Sequence, residues 1–159
     1  MSTSPSGTLV ISPEQLLEDW QGHRRLTRRV IEIFPEESLF TYSLGGMRPF
    51  SVLVMEMIKM GVPILQGEIT GEWRSSDLVD PSTKSELLRL WDDATADINR
   101  MWPDIPPHRF QEIDTAFGQW KMPGYAMFLY AIDNEIHHRG QGYVYLRSLG
   151  IEPPPFYER

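Results

Sequence analysis

Asp133-Asn134-Glu135-Ile136-His137-His138-Arg139-Gly140-Gln141 is the densest run of polar and ionisable side chains in the sequence, set inside a segment otherwise rich in aromatics. That segment follows Pro123 and ends at Leu149-Gly150, where glycine can take the left-handed cap and Pro153 to Pro155 forbid continuation. It reads as one long helix. Side chains four apart lie one turn above each other, so Asn134 faces the same way as His138, and Asp133 the same way as His137. The adjacent His137 and His138 point ~100° apart, so only one of them need face a cleft.

Three more helices are expected upstream. Ser12-Pro13-Glu14-Gln15 supplies a cap, a proline at the first helical position and a side chain that can close a capping box. This first helix carries His23 and ends before Pro35. A loop over residues 35–48, with the Gly45-Gly46 pair, leads to a second helix beginning near Pro49. Its residues Val52 to Met60 are apolar on nearly every side, which marks a central helix, and Gly61 with Pro63 predicts a kink or restart. Asp80-Pro81 repeats the cap-then-proline start. From there Leu87, Trp91, Ala94, Ile98 and Met101 alternate spacings of four and three, an amphipathic stripe that stops at Trp102-Pro103. Residues 103–120 read as irregular, with room for one helical turn. Four helices and no segment that reads as a strand define an all-α four-helix bundle over residues 12–159, preceded by an unstructured lead over 1–11.

Composition removes several function classes. The 159 residues contain no cysteine, so metal ligands must come from His, Asp, Glu and Asn. Residues 1–11 lack the basic start and apolar centre of a signal peptide, and the longest apolar run is broken by Glu56 and Lys59, so a cytoplasmic chain without a membrane span is expected. A formal charge of -7 without a basic stripe disfavours nucleic acid. The one basic cluster, Arg24, Arg25, Arg28 and Arg29, reads as a solvated helix face interleaved with acids. Trp73, Trp91, Trp102, Trp120 and Phe128 read as core.

Glu56 is the second unusual residue, a carboxylate between Met55 and Met57 on the most apolar helix. Buried alone and ionised it would cost several kcal/mol, so it must pair with an arginine, hold a cation, take a proton or reach water.

His137-His138-Arg139-Gly140-Gln141, followed by Tyr145-Leu146-Arg147-Ser148-Leu149-Gly150-Ile151-Glu152-Pro153-Pro154, resembles the fourth-helix signature and tail of the DinB/YfiT-like superfamily. Gly46-Met47-Arg48-Pro49-Phe50-Ser51 is similar to the start of that family's second helix. The resemblance implies an up-down-down-up bundle, commonly a homodimer, holding nickel or zinc on three histidines. Placed on this sequence, the three positions are Glu56, Asn134 and His138, a set that favours weaker binding or harder cations. A shifted set of Asp133 and His137 requires the helix to turn by ~100°. The resemblance further implies a thiol-dependent transferase using a low-molecular-weight thiol, with His23, His137, Tyr143 and Tyr145 as candidate proton-transfer or supporting groups. The competing expectation is a stress-linked, non-catalytic binding module whose metal site has degenerated.

Overall fold

The computed structural model describes residues 9–159, so residues 1–8 of the expected lead lie outside the described residues. Among the described residues there are five α-helices: α1 (Pro13–Ile33), α2 (Glu36–Thr41), α3 (Phe50–Thr70), α4 (Lys84–Met101) and α5 (Gly124–Ser148). A short antiparallel hairpin, β1 (Ile113–Ala116) and β2 (Trp120–Pro123), joins α4 to α5.

The capping box at Ser12 and Gln15 forms and starts α1. α4 starts three residues later than its proline signal suggested, because Thr83 rather than Asp80 is the cap, its hydroxyl accepting from the Glu86 N–H at 3.2 Å. α3 runs unbroken through Gly61 and Pro63. There is no restart, and the bare face of Gly61 lets the Trp20 ring press against the helix. The 35–48 connector contains the short α2, whose buried Leu39 ties it to the core.

α1 packs on α4 and α5, and α3 packs on the same two helices, closing a ring of four. Arg24 meets Thr95 while Phe34 meets Lys84, so α1 and α4 run in opposite senses. Trp20 meets Glu135 and His23 meets Arg139, so α1 and α5 run together. Glu56 meets His138 while Phe50 meets Gly142, so α3 opposes α5. α3 is long and apolar enough by composition to cross a membrane, but 67% of its most apolar stretch is buried inside the bundle. Its apolar character is that of a core helix.

Two clusters fill the interior. Val30, Phe34, Phe50, Leu53, Trp91 and Leu146 pack at one end. Trp20, Trp102, Phe110 and Phe128 interlock at the other, with ring centroids 4.7 to 6.2 Å apart. Trp91, Trp102 and Phe128 are core as expected, whereas Trp120 is 48% exposed on the hairpin and Trp73 lies half-buried against Phe117.

The basic cluster of α1 is not a solvated face throughout. Arg24 is buried, its guanidinium 3.8 Å from the Trp91 ring, its Nε donating to Thr95 at 2.7 Å and its Nη1 3.7 Å from the Glu135 carboxylate. Glu135 is equally buried, accepting from Thr27 at 2.7 Å and Trp20 at 3.3 Å, with Arg139 on its other side. Burial pushes the Glu135 carboxyl up against the pull of Arg24, and lowers Arg24 to about 10. Desolvation is large at both ends of this pair.

A second buried carboxylate, Glu68, lies 3.5 Å from Arg109, which also grips Asp114 at 2.9 Å and so ties the hairpin to α3. Burial raises the Glu68 carboxyl to about 7 despite the opposing charge of Arg109. The unfolded chain ionises Glu68 near pH 4.5 while the folded chain keeps its proton to about 7, so stability is lost as pH rises between these values. Glu68→Gln should therefore match the parent in urea unfolding at pH 4 and exceed it at pH 8 by up to ~3 kcal/mol. A parent whose stability rises over this interval relative to the variant would contradict the assignment.

Candidate functional site

Three side chains from two opposed helices meet on one carboxylate oxygen. Glu56 Oε1 of α3 accepts from the Asn134 amide at 3.0 Å and lies 2.9 Å from His138 Nε2, both on α5. The four-residue spacing puts Asn134 and His138 on the same face of α5, and the antiparallel crossing of α3 brings Glu56 between them. The other carboxylate oxygen, Oε2, accepts from Arg48 Nη1 at 2.6 Å. Burial works against ionising Glu56, but the hydrogen bonds from Asn134, His138 and Arg48 outweigh it and take the carboxyl down to about 2. Glu56 is thus a fixed anion at neutral pH.

The second ring nitrogen of His138 is held as well. Gln141 donates its amide N–H to Met47 Sδ at 3.4 Å, which turns its oxygen toward His138 Nδ1 at 2.8 Å. Nδ1 then carries a proton, because the glutamine oxygen can only accept. Nε2 faces an oxygen that also only accepts. Either a proton or a cation must lie between Nε2 and Glu56 Oε1, since two lone pairs at 2.9 Å would repel. Asn134 Oδ1 is buried without any hydrogen-bond partner, a further acceptor in want of a positive group.

These residues fit a divalent cation of the harder kind. Separations of 2.9 and 3.0 Å match the ~3 Å edge of an octahedron with bonds of about 2.1 Å. Turning the amide by half a rotation presents its orphaned oxygen in place of its nitrogen. Yet among the described residues no three His, Asp or Glu side chains converge, so the amide would have to serve as third donor. Arg48, half exposed, competes for the carboxylate.

Glu56 and Arg48 stand in the wall of a cavity of about 600 Å³ between α3, the 71–83 connector, the hairpin and the start of α5. His138 and Asn134 do not line it and reach it only through Glu56. The other singled-out residues lie elsewhere. His137 and Asp133 are exposed, so the shifted ligand set points to solvent and does not assemble. His23 is buried on α1 beside Arg139 at 3.0 Å and Arg159, and burial with these two cations lowers it to about 4. None of its polar partners belongs to the Glu56 group. Tyr145 donates its hydroxyl to the Arg48 carbonyl at 2.8 Å and so positions Arg48, while Tyr143 donates to the Pro154 carbonyl at 2.7 Å and pins the tail. Neither hydroxyl is free to move a proton.

Sequence reasoning missed Arg48 and Gln141 as members of the site. Both stood inside the quoted motifs, Arg48 before the second-helix proline and Gln141 three residues after His138, which is a helix-neighbour spacing.

A helical bundle with an inward carboxylate and an imidazole at the crossing of two helices defines the class. The sequence pattern of the DinB family matches residues 1–159, and the chain belongs to that family. It is 43% identical over 152 residues to the uncharacterized protein YjoA of Bacillus subtilis strain 168, covering 91% of this chain and 96% of that one. The crystal structure of a DinB-like protein from Bacillus cereus superposes with a TM-score of 0.73 at 19% identity, over 91% of this chain and 97% of that one. The crystal structure of Bacillus subtilis YjoA, also described as DinB-like, superposes with a TM-score of 0.73 over 91% of this chain and 99% of that one, at 18% identity among the superposed residues. The family assignment rests on the whole-chain match.

Proposed function

We propose that the chain is a divalent-cation-dependent enzyme acting on a small molecule held in the cavity beside Glu56. Glu56, Asn134 and His138 would hold the cation. One observation carries this reading: Gln141 fixes the proton of His138 on Nδ1, leaving Nε2 aimed at a carboxylate oxygen 2.9 Å away. A cation there would act as a Lewis acid, lowering the pKa of a bound thiol or water. Gln141 sets the imidazole's tautomer and orientation, as outer partners of metal-bound histidines do. Arg48 balances the remaining carboxylate charge. The family resemblance supports a transferase using a low-molecular-weight thiol, with nickel or zinc as family metals and a cytoplasmic homodimer as the working form. The donor set here favours a harder ion such as manganese.

Calorimetric titration of chelator-treated protein with manganese, nickel and zinc tests this. One ion per chain is expected, with at least tenfold weaker binding in Glu56→Ala and His138→Ala and a loss of about tenfold in Gln141→Leu. Retention of no divalent ion, with titrations unaltered by any of these changes, would dispose of the metal-dependent reading.

A second reading is favoured by Arg48. Its 2.6 Å bond to Oε2, with a proton between His138 and Oε1, gives Glu56 a full set of partners without metal. The chain would then be a binding module, and the same titration decides between the two.

A further inference from the structure

The charged groups in the cavity wall cancel in pairs. Arg48 is bonded to Glu56 at 2.6 Å, and Lys59 to Asp80 at 2.6 Å. No unpaired cation is left in the lining to receive an anionic substrate, and the chain as a whole carries -7. The rest of the wall is mainly thioether, aliphatic and aromatic, with Ser75, Ser76 and Gln119 as uncharged polar members. Met55, Met60, Met122 and Met127 surround the space, and Phe117 and Trp120 close it from the hairpin. Methionines adapt their shape to a ligand, and aromatic rings provide flat faces. The volume of about 600 Å³ is within the range that encloses a drug-sized molecule.

We propose that this cavity takes uncharged, largely apolar small molecules with an aromatic or hydrocarbon body, and discriminates against anions of the same shape. The inference rests on reading the cavity as the substrate chamber of the Glu56 site. The body lies on the methionine and aromatic wall. The molecule's polar end is left toward Glu56, the one carboxylate of the wall that is backed by imidazole and amide.

Two fluorescent probes that differ by one sulfonate test it: N-phenyl-1-naphthylamine, which is neutral, and 1-anilinonaphthalene-8-sulfonate, which is anionic. Chelator-treated protein is used, so probe binding needs no metal and is read separately from the metal titration. The neutral probe should saturate at one per chain and bind at least tenfold more tightly than the anionic one. Met122→Lys, on the hairpin, and Trp120→Ser, at a half-exposed ring, should each weaken the neutral probe at least fivefold while far-UV circular dichroism is retained. Asp80→Asn frees Lys59 in the wall and should raise the affinity for the anionic probe at least threefold relative to that for the neutral one. Equal or tighter binding of the anion by the parent, no gain in Asp80→Asn, or a neutral probe indifferent to both wall variants would each overturn the proposal.

Discussion

Glu135→Ala is expected to cost about 3–5 kcal/mol in urea unfolding, because it leaves Arg24 and Arg139 charged and buried with no counter-charge between them. Arg24 is 1% exposed and Arg139 5%, so neither guanidinium can turn to water without opening the bundle. The variant also strands the Trp20 indole N–H, and leaves the Thr27 hydroxyl only the His23 carbonyl to donate to. Against a total stability of ~5–15 kcal/mol, such a loss lowers the melting temperature by roughly 6–20 °C. Replacing Arg24, Glu135 and Arg139 together by methionine should recover most of it, since the cost lies in unpaired charge rather than missing volume. A single-variant loss below ~1 kcal/mol would mean that water or a rearranged side chain already compensates Glu135.

Two glycines two residues apart on α5 should respond to alanine with opposite signs. A Cβ at Gly142 would stand 2.5 Å from the Phe50 ring, which is fully buried and stacked on Phe34 with centroids 4.7 Å apart. That ring has nowhere to go, so Gly142→Ala should destabilise by ~1–3 kcal/mol through overpacking. At Gly140 a Cβ meets nothing within 4 Å, and Gly140→Ala should stabilise by about 0.5–1 kcal/mol through helix propensity alone. Chemical denaturation of both variants gives the comparison. Equal effects would refute the close packing of α3 on α5 at this level, and that packing sets where Glu56 meets His138.

The four long helices were legible because each carries a signal that acts locally: the Ser12 capping box, the apolar run of α3, the 4-and-3 stripe of α4 and the Gly150 stop of α5. Their ends were less so, since Asp80-Pro81 and Thr83 offer rival caps and only packing selects one. The hairpin was hidden for two physical reasons. Its strands are four residues long and in β1 hydropathy does not follow burial, with Ile113 61% exposed, and its turn uses Phe117 at φ 52° ahead of Gly118 at φ 68° rather than an Asn-Gly pair. Phe117 adopts that left-handed backbone where its ring packs between Trp73 and Trp120, a contact no local pattern announces. Arg24 was misplaced for the same kind of reason: charge on a helix reads as solvent-facing until a partner from another helix is known. Of the candidate site, the geometry groups Glu56, Asn134 and His138, which helix register and the family resemblance together had picked out. Arg48 and Gln141 entered only once distances were in hand.

The hairpin is a self-contained loop of chain whose strands pair only with each other, from Ile113 opposite Pro123 to Ala116 opposite Trp120. It supplies Phe117, Trp120 and Met122 to the cavity wall, whereas Glu56, Asn134 and His138 stand on the bundle. Part of the cavity wall and the Glu56 group therefore come from separate stretches of sequence. In the proposed reading, exchange of the Trp120 and Met122 side chains would change what is admitted, while the buried Ala116 and the ion pair of Asp114 with Arg109 keep the hairpin anchored on the bundle. Exchanging hairpin side chains at the cavity would then alter selectivity while the helix crossing at Glu56 and His138 stays as it is.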